Sequence, residues 1–131
     1  MKHAKTIEAI ALGSALVVSI SSTFLPLDAV AGTTEACNNS TNGKGSSIVG
    51  ASDSFVKTAF IPRCSPNTVV KTNDAGTAFA AQGGSLKGNT IYGSTTEGGG
   101  GAVWCGSSTL SAPLKDTDVK APTGSATDGC A

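Results

Sequence analysis

The clearest pattern in the sequence is a β-branched stretch followed by turn residues. Residues 67–72 (NTVVKT) lie between Pro66 and the turn sequence 73–76, Asn-Asp-Ala-Gly. Because β-branched residues bounded by turn formers are typical of strands, the pattern predicts a strand here, and 77–82 is expected to complete a hairpin with it. Two more strands are predicted where apolar residues follow glycine-rich breaks: 89–92 after Gly83-Gly84, and 102–105 after 98–101.

The preceding third of the chain has a weaker pattern. Residues 32–47 are polar and rich in Asn and Gly, which predicts an irregular lead-in. Residues 46–58 fit either a short helix, with Ser52 or Asp53 as its N-cap, or a strand. Residues 58–61 are expected to be extended up to Pro62.

The spacing of turns indicates the fold class. Short strands separated by Gly or Pro turns favour an antiparallel sheet over alternating strands and helices. Parallel sheets require long, continuous apolar runs, and this sequence has none beyond residue 31. The sequence therefore predicts a mainly β domain, a small antiparallel sheet, with an α+β arrangement as the alternative.

The N-terminal segment has the pattern of a secretory signal peptide. Basic residues at positions 2–5 precede the largely apolar stretch 7–18, and an A-x-A site ends at Ala31, before Gly32. The alternative is a retained membrane helix, but the apolar run reaches a spanning length of about 20 residues only if several Ser and Thr are counted. We expect a helical leader over 1–31, cleavage between Ala31 and Gly32, and a single secreted domain over 32–131.

Charge and composition exclude several functions. The chain of 131 residues has nine Lys and Arg against nine Asp and Glu, so no net field attracts nucleic acid or an anionic membrane. The only histidine, His3, belongs to the predicted leader. Without it, Ser-His-Asp and Cys-His arrangements are impossible. We therefore expect a protein that is not an enzyme, has no cofactor and, once the leader is removed, does not contact the membrane.

Four cysteines remain after the predicted cleavage. No two lie within four residues of each other and no histidine accompanies them, which argues against a structural zinc site. In an exported chain with few large apolar residues, an even number of cysteines predicts disulfides. Three pairings are open, and sequential pairing is favoured because it closes one loop in each half of the domain: Cys37 with Cys64, and Cys105 with Cys130.

One segment resembles a known family. Residues 101–106 (GAVWCG), followed by Cys130 next to the C-terminal residue, resemble the end of a type IV pilin head, where a terminal cysteine closes a loop. The Gly-Phe junction and long N-terminal helix of that family are absent, and the N-terminal segment ends in an A-x-A site instead. The chain is thus most similar to the globular half of a split type IV pilin, in which helix and head are separate polypeptides.

The resemblance implies a structural role outside the cell. It predicts a head domain exported through the periplasm that docks on a separate helical pilin and on neighbouring copies in a cell-surface filament. Because the mature chain lacks its own apolar helix, an exposed apolar patch is expected to receive the partner. The candidates are Phe55, Val56, Phe60 and Ile61, although these four could instead fill the core.

The segment between the last two cysteines is expected to be an outward-facing loop. Residues 107–129 contain too few large apolar side chains to form a core. Leu110 and Leu114 are expected to pin this loop, whereas four charged residues should be solvated: Lys115, Asp116, Asp118 and Lys120.

Two other function classes remain open from the sequence. One is a chaperone-usher fimbrial subunit or adhesin completed by a neighbour's strand, although the alternating C-terminal strand of such subunits is not evident in 116–131. The other is a free, disulfide-stabilised secreted binding protein or inhibitor.

Overall fold

A computed structural model describes residues 32–98, 100–106, 110–123 and 127–131. The predicted leader, including Ala31 of the cleavage junction, lies outside the described residues. The described part contains a sheet and one short 3-10 helix. These elements are β1 (Thr33–Asn38), β2 (Thr68–Asp74), β3 (Phe79–Ser85), β4 (Ile91–Thr95), β5 (Val103–Trp104) and the 3-10 helix Asp116–Asp118.

The five strands form one sheet in the order of the chain. Each strand pairs antiparallel with the next, so the sheet is a meander without crossovers. The predicted hairpin is present between β2 and β3, where the Ala75 N–H donates to the carbonyl of Ala78 at 2.9 Å. Gly76 in this turn has φ +83°, a left-handed conformation that glycine adopts without strain. The mainly β prediction is confirmed.

Strand β1 was not predicted, because an irregular lead-in was expected over 32–47. Its sequence, TTEACN, contains no large apolar residue, so local pattern gave no strand signal. The strand instead forms through pairing with β2, with a register irregularity between Glu35 and Cys37. Non-local hydrogen bonds therefore determine that these residues form a strand.

The Gly83-Gly84 pair was predicted to break the chain, and that prediction is wrong. Both glycines lie inside β3 and pair with β2 on one side and β4 on the other. A Cβ at Gly84 would approach the Thr90 carbonyl oxygen to 2.9 Å and Leu114 Cδ1 to 3.1 Å. Glycine at this position permits close packing against the sheet.

The helix predicted as one alternative over 46–58 is also absent. Two arms of the chain run side by side there, with Ile48 and Phe60 exchanging backbone hydrogen bonds at 2.8 and 3.1 Å. The tip closes where the Ala51 N–H donates to the Val56 carbonyl at 3.0 Å. The alternative of a strand over 46–58 is not observed as a regular strand either, because only isolated bridges, Lys44 with Arg63 and Ile48 with Phe60, join the two arms.

The hydrophobic core lies on one face of the sheet. Val69, Gly84 and Ile91 are in register across β2, β3 and β4, and their side of the sheet is here called the core face. Leu114 and Val119, from the segment after β5, complete a cluster with Val69 and Ile91. The C-terminal segment therefore covers the core face.

This position corrects the expectation of a purely outward loop. Leu114 is buried and Leu110 packs against the cluster, so their predicted role as pins is confirmed. However, Val119 and Pro122 are also fully buried, which makes the segment part of the core. Of the charged residues, Lys115, Asp116 and Lys120 are exposed as predicted, whereas Asp118 is partly buried.

Both disulfides have the predicted sequential pairing. Cys37 bonds Cys64 and Cys105 bonds Cys130, with Cα–Cα distances of 5.7 and 5.4 Å. All four cysteines of the chain are thereby paired. The first disulfide is buried, whereas the second is partly exposed at the edge of the core face.

Candidate partner interface

The loop between β1 and β2 exposes several large apolar side chains. Phe55 is 41% exposed, Phe60 48%, Ile61 58% and Val49 59%, and these four residues are here called the loop patch. Three of them were predicted from the sequence, and the fourth predicted residue, Val56, is partly buried. The exposure expected of a partner surface is therefore found for most of the predicted set. Its role as an interface stays a prediction.

Val49 was missed by sequence reasoning. It follows Ile48, and the pair looked like two equivalent apolar positions at the start of the 46–58 segment. The backbone pairing of Ile48 with Phe60 makes this stretch extended, so successive side chains point to opposite sides. Ile48 is buried, and Val49 consequently faces solvent. A strand-like interpretation of the stretch would have predicted this alternation.

Asp74, the last residue of β2, fixes the tip of the loop. Its Oδ1 accepts from the Phe55 and Gly76 N–H groups at 2.9 Å each, and its Oδ2 accepts from the Val56 N–H at 3.0 Å. Burial alone would raise the pKa of this carboxyl, but the three backbone donors, assisted by the nearby Lys57 ammonium, lower the pKa below its ordinary value. The carboxylate thus stays charged and clamps the loop tip to the sheet.

The base of the loop is held by packing and by a disulfide. Buried Ile48 lies beside Thr34 and Thr72 on the face of the sheet opposite to the core face. The Ser46 N–H donates to the Ala36 carbonyl at 3.0 Å. Gly45 leaves no room for a Cβ, because one would collide with the Ala36 carbonyl oxygen and with Cys64 Sγ. The loop is therefore fixed at both ends and at its tip.

A second exposed apolar group lies at the β5 edge of the sheet. Tyr92 and Trp104 are cross-strand partners on the face opposite to the core face, and both are more than half exposed. Val103 beside them is 44% exposed. The sequence marked Trp104 only as part of the family resemblance, and its exposure was not predicted. Burial alternates along 91–95, with Ile91 buried and Tyr92 exposed, but the residues Ile-Tyr-Gly-Ser-Thr show no apolar–polar alternation that could have predicted this edge.

The charged side chains of the described residues are mostly apart from one another. Within the four described ranges, no group of three or more His, Cys, Asp or Glu side chains is placed to hold a metal ion. The one ion pair found there, Lys71 with Glu35 at 3.9 Å, joins partly exposed groups across β1 and β2. Such a pair contributes little to stability. No helix in the described part of the chain is both long and apolar enough to cross a membrane.

Comparison with known proteins adds no assignment. No family model, no curated protein and no solved structure matches the chain.

Proposed function

We propose that this protein is a structural subunit of an extracellular filament. In this proposal it acts as the globular head of a split type IV pilin, and the loop patch docks on a separate helical chain. The observation that supports the proposal best is the exposure of Phe55, Phe60 and Ile61 on a loop that the rest of the domain holds in place. Several large apolar side chains exposed on one loop of a small domain are typical of interaction sites.

The anchoring of the loop supports an interface more than an accidental exposure. Ordering a surface loop costs about 1–2 kcal/mol of backbone entropy per residue, and buried apolar contacts usually offset that cost. Here the Asp74 clamp and the Cys37–Cys64 disulfide supply the order, while the aromatic side chains are left outside. A pre-ordered surface loses less conformational entropy when a partner docks on it.

The partner proposed for the loop patch is a helix. An amphipathic helix presents an apolar stripe that can cover a patch of a few large side chains. The chain carries no net charge, so electrostatic repulsion does not oppose the approach of further copies of the same chain. The two disulfides are compatible with an oxidising extracellular compartment.

Variants of the full-length chain, produced in its native host, test the assembly role. Phe60→Asp should reduce the amount recovered with sheared filaments at least tenfold, because a carboxylate would have to be desolvated in the interface. Thr58→Asp, an exposed neighbour on the same loop, is the matched control and should assemble like the wild type. Circular dichroism and disulfide mapping on the purified head check that both variants fold.

Three outcomes would contradict the proposal. Phe60→Asp could enter filaments at the wild-type level, both variants could be lost equally, or the wild-type chain could be recovered only as a free secreted protein. The last result would favour the alternative of a secreted binding protein or adhesin. Full assembly of folded Phe60→Asp would remove the loop patch from the interface.

A further inference from the structure

A cavity lies between the core face of the sheet and the C-terminal segment. Its volume is about 520 Å³, within the range of about 300–1,000 Å³ that small-molecule sites occupy. Gln82 on β3 and Trp104 on β5 line it from the sheet, and Asp118 and Asp128 line it from the C-terminal segment. The cavity is on the other side of the sheet from the Asp74-clamped loop, so it is distinct from the loop patch.

Gln82 is an unexplained polar residue in this cavity. The residue is only 4% exposed, and its Oε1 has no hydrogen-bond partner among the described residues. Leaving such an atom unpaired costs about 1–3 kcal/mol, so native structures rarely keep one without a reason. Gln82 pairs with Lys71 on β2 and with Gly93 on β4, and a leucine in its place would bury its side chain without that cost. The amide is therefore best explained by a group that enters the cavity.

The two carboxylates have fixed orientations. Asp118 Oδ2 accepts from the Lys115 N–H at 2.8 Å, and Asp128 Oδ1 accepts from the Cys130 N–H at 3.0 Å. Each is thus held through one oxygen, and the second oxygen is not needed for its orientation. Lys120 lines the same cavity and offsets one of the two negative charges.

Trp104 is on edge strand β5, where the register assigns it to the face opposite to the core face, and it lines the cavity at this edge of the sheet. It lies over Gly106, where a Cβ would approach Cζ2 and Cζ3 to 2.6 Å, so glycine allows the ring to pack against the backbone. The side chain remains 62% exposed. An exposed aromatic face next to hydrogen-bonding groups can take a ligand that has one apolar face and several polar substituents.

We propose that this cavity binds a neutral sugar of pyranose size. A hydroxyl group both donates and accepts, so it can pair with Gln82 in either orientation of the amide. Further hydroxyls can donate to the carboxylates of Asp118 and Asp128, while the C–H face of the ring lies on the Trp104 indole. Two carboxylates disfavour an anion, and Lys120 disfavours a simple cation. This site goes beyond the proposed assembly role and does not depend on it.

Trp104 is the only tryptophan of the sequence, so tryptophan fluorescence reports on the surroundings of this one side chain at the edge of the cavity. The mature chain with both disulfides intact is titrated with the methyl pyranosides of glucose, galactose, mannose and N-acetylglucosamine. At least one should give a saturable fluorescence change, with calorimetry as a second readout. Gln82→Leu should weaken that binding at least tenfold without lowering the melting temperature, because it removes an unpaired buried amide.

Carboxylate variants distinguish sugar binding at this cavity from a general effect of the protein's charge. Asp128→Asn retains Oδ1 for the Cys130 N–H but changes the other carboxylate oxygen to an amide donor, and it should weaken sugar binding. Asp53→Asn, at an exposed carboxylate on the other loop, is the matched control and should bind like the wild type. If Gln82→Leu does not fold, Asp128→Asn and the exposed Trp104→Ala, both measured by calorimetry, decide the question.

Three results would overturn the proposal. These are no saturable response to any of the four sugars, wild-type affinity in Gln82→Leu or in both substitute variants, and a response to ethylammonium or inorganic phosphate instead of the sugars. The last result would assign the cavity to a charged ligand.

Discussion

The two disulfide-bounded loops are of similar length, but the first exposes most of its large apolar side chains and the second buries most of its own. The first, between Cys37 and Cys64, contains more large apolar residues and exposes most of them. The second, between Cys105 and Cys130, contains few and places Leu114 and Val119 in the core. The apolar content of a loop therefore did not predict its burial.

The sheet face under each loop explains the difference. The second loop covers a face that presents Val69 and Ile91, so its leucine and valine side chains find apolar partners. The first loop lies on a face that presents Thr34, Thr72 and Asp74, which offer hydrogen bonds but little apolar area. The first loop is consequently held by hydrogen bonds and a disulfide, and its aromatic side chains remain available for a partner.

The largest expected effect comes from removing the disulfide of the first loop. Replacing Cys37 and Cys64 with Ser should lower the free energy of unfolding by about 3–5 kcal/mol, from lost loop closure and from hydroxyls left at buried positions. The Cys105→Ser, Cys130→Ser double variant should lose about 3 kcal/mol, because those sites are partly exposed. Urea denaturation of both variants measures the difference. A larger loss from the second pair would contradict the comparison.

A pair of alanine variants tests the opposite roles of the loop side chains. Leu114→Ala should cost about 2–4 kcal/mol because it leaves a cavity in the core. Ile61→Ala, which removes an apolar side chain of the same size from an exposed position, should change stability by less than about 0.5 kcal/mol. Chemical denaturation gives both values. Similar costs at the two positions would mean that the first loop packs as the second does.

Among the changes expected to destabilise the domain, loss of the Asp74 clamp gives the smallest effect, and this effect depends on pH. Asp74→Asn keeps one acceptor oxygen but turns an NH₂ group towards a backbone donor, and should cost about 1–3 kcal/mol at neutral pH. Because the folded-state pKa is lowered, the carboxylate contributes its stability above its ordinary pKa of 3.8. That contribution is lost as the pH falls through the folded-state pKa.

Melting temperatures of the wild type and Asp74→Asn, measured from neutral to strongly acidic pH, should therefore converge at the acidic end. A constant difference across the range would show that Asp74 does not act through its charge. Glu35→Gln is the control, since among the described residues its carboxylate forms only the long, partly exposed contact with Lys71.

The sequence by itself determined the elements whose signals are local. The β2–β3 hairpin follows from β-branched residues bounded by Pro66 and the Asn-Asp-Ala-Gly turn, and the mainly β class follows from the spacing of such turns. Sequential disulfide pairing was favoured from the placement of the cysteines, and it is observed. These features depend on residues close in sequence or on covalent chemistry with few alternatives.

Tertiary structure decided the features that depend on distant partners. Strand β1 contains no large apolar residue and exists because β2 pairs with it. Gly83-Gly84 continues strand β3 because both residues pair with β2 and β4. Glycine suits these positions because the neighbouring strands and Leu114 leave little room for a Cβ. The 46–58 segment adopts no helix because its backbone groups pair across the loop, Ile48 with Phe60 and Ala51 with Val56. Non-local hydrogen bonds and packing of this kind outweigh the weak local preferences of a Gly-, Ser- and Thr-rich chain.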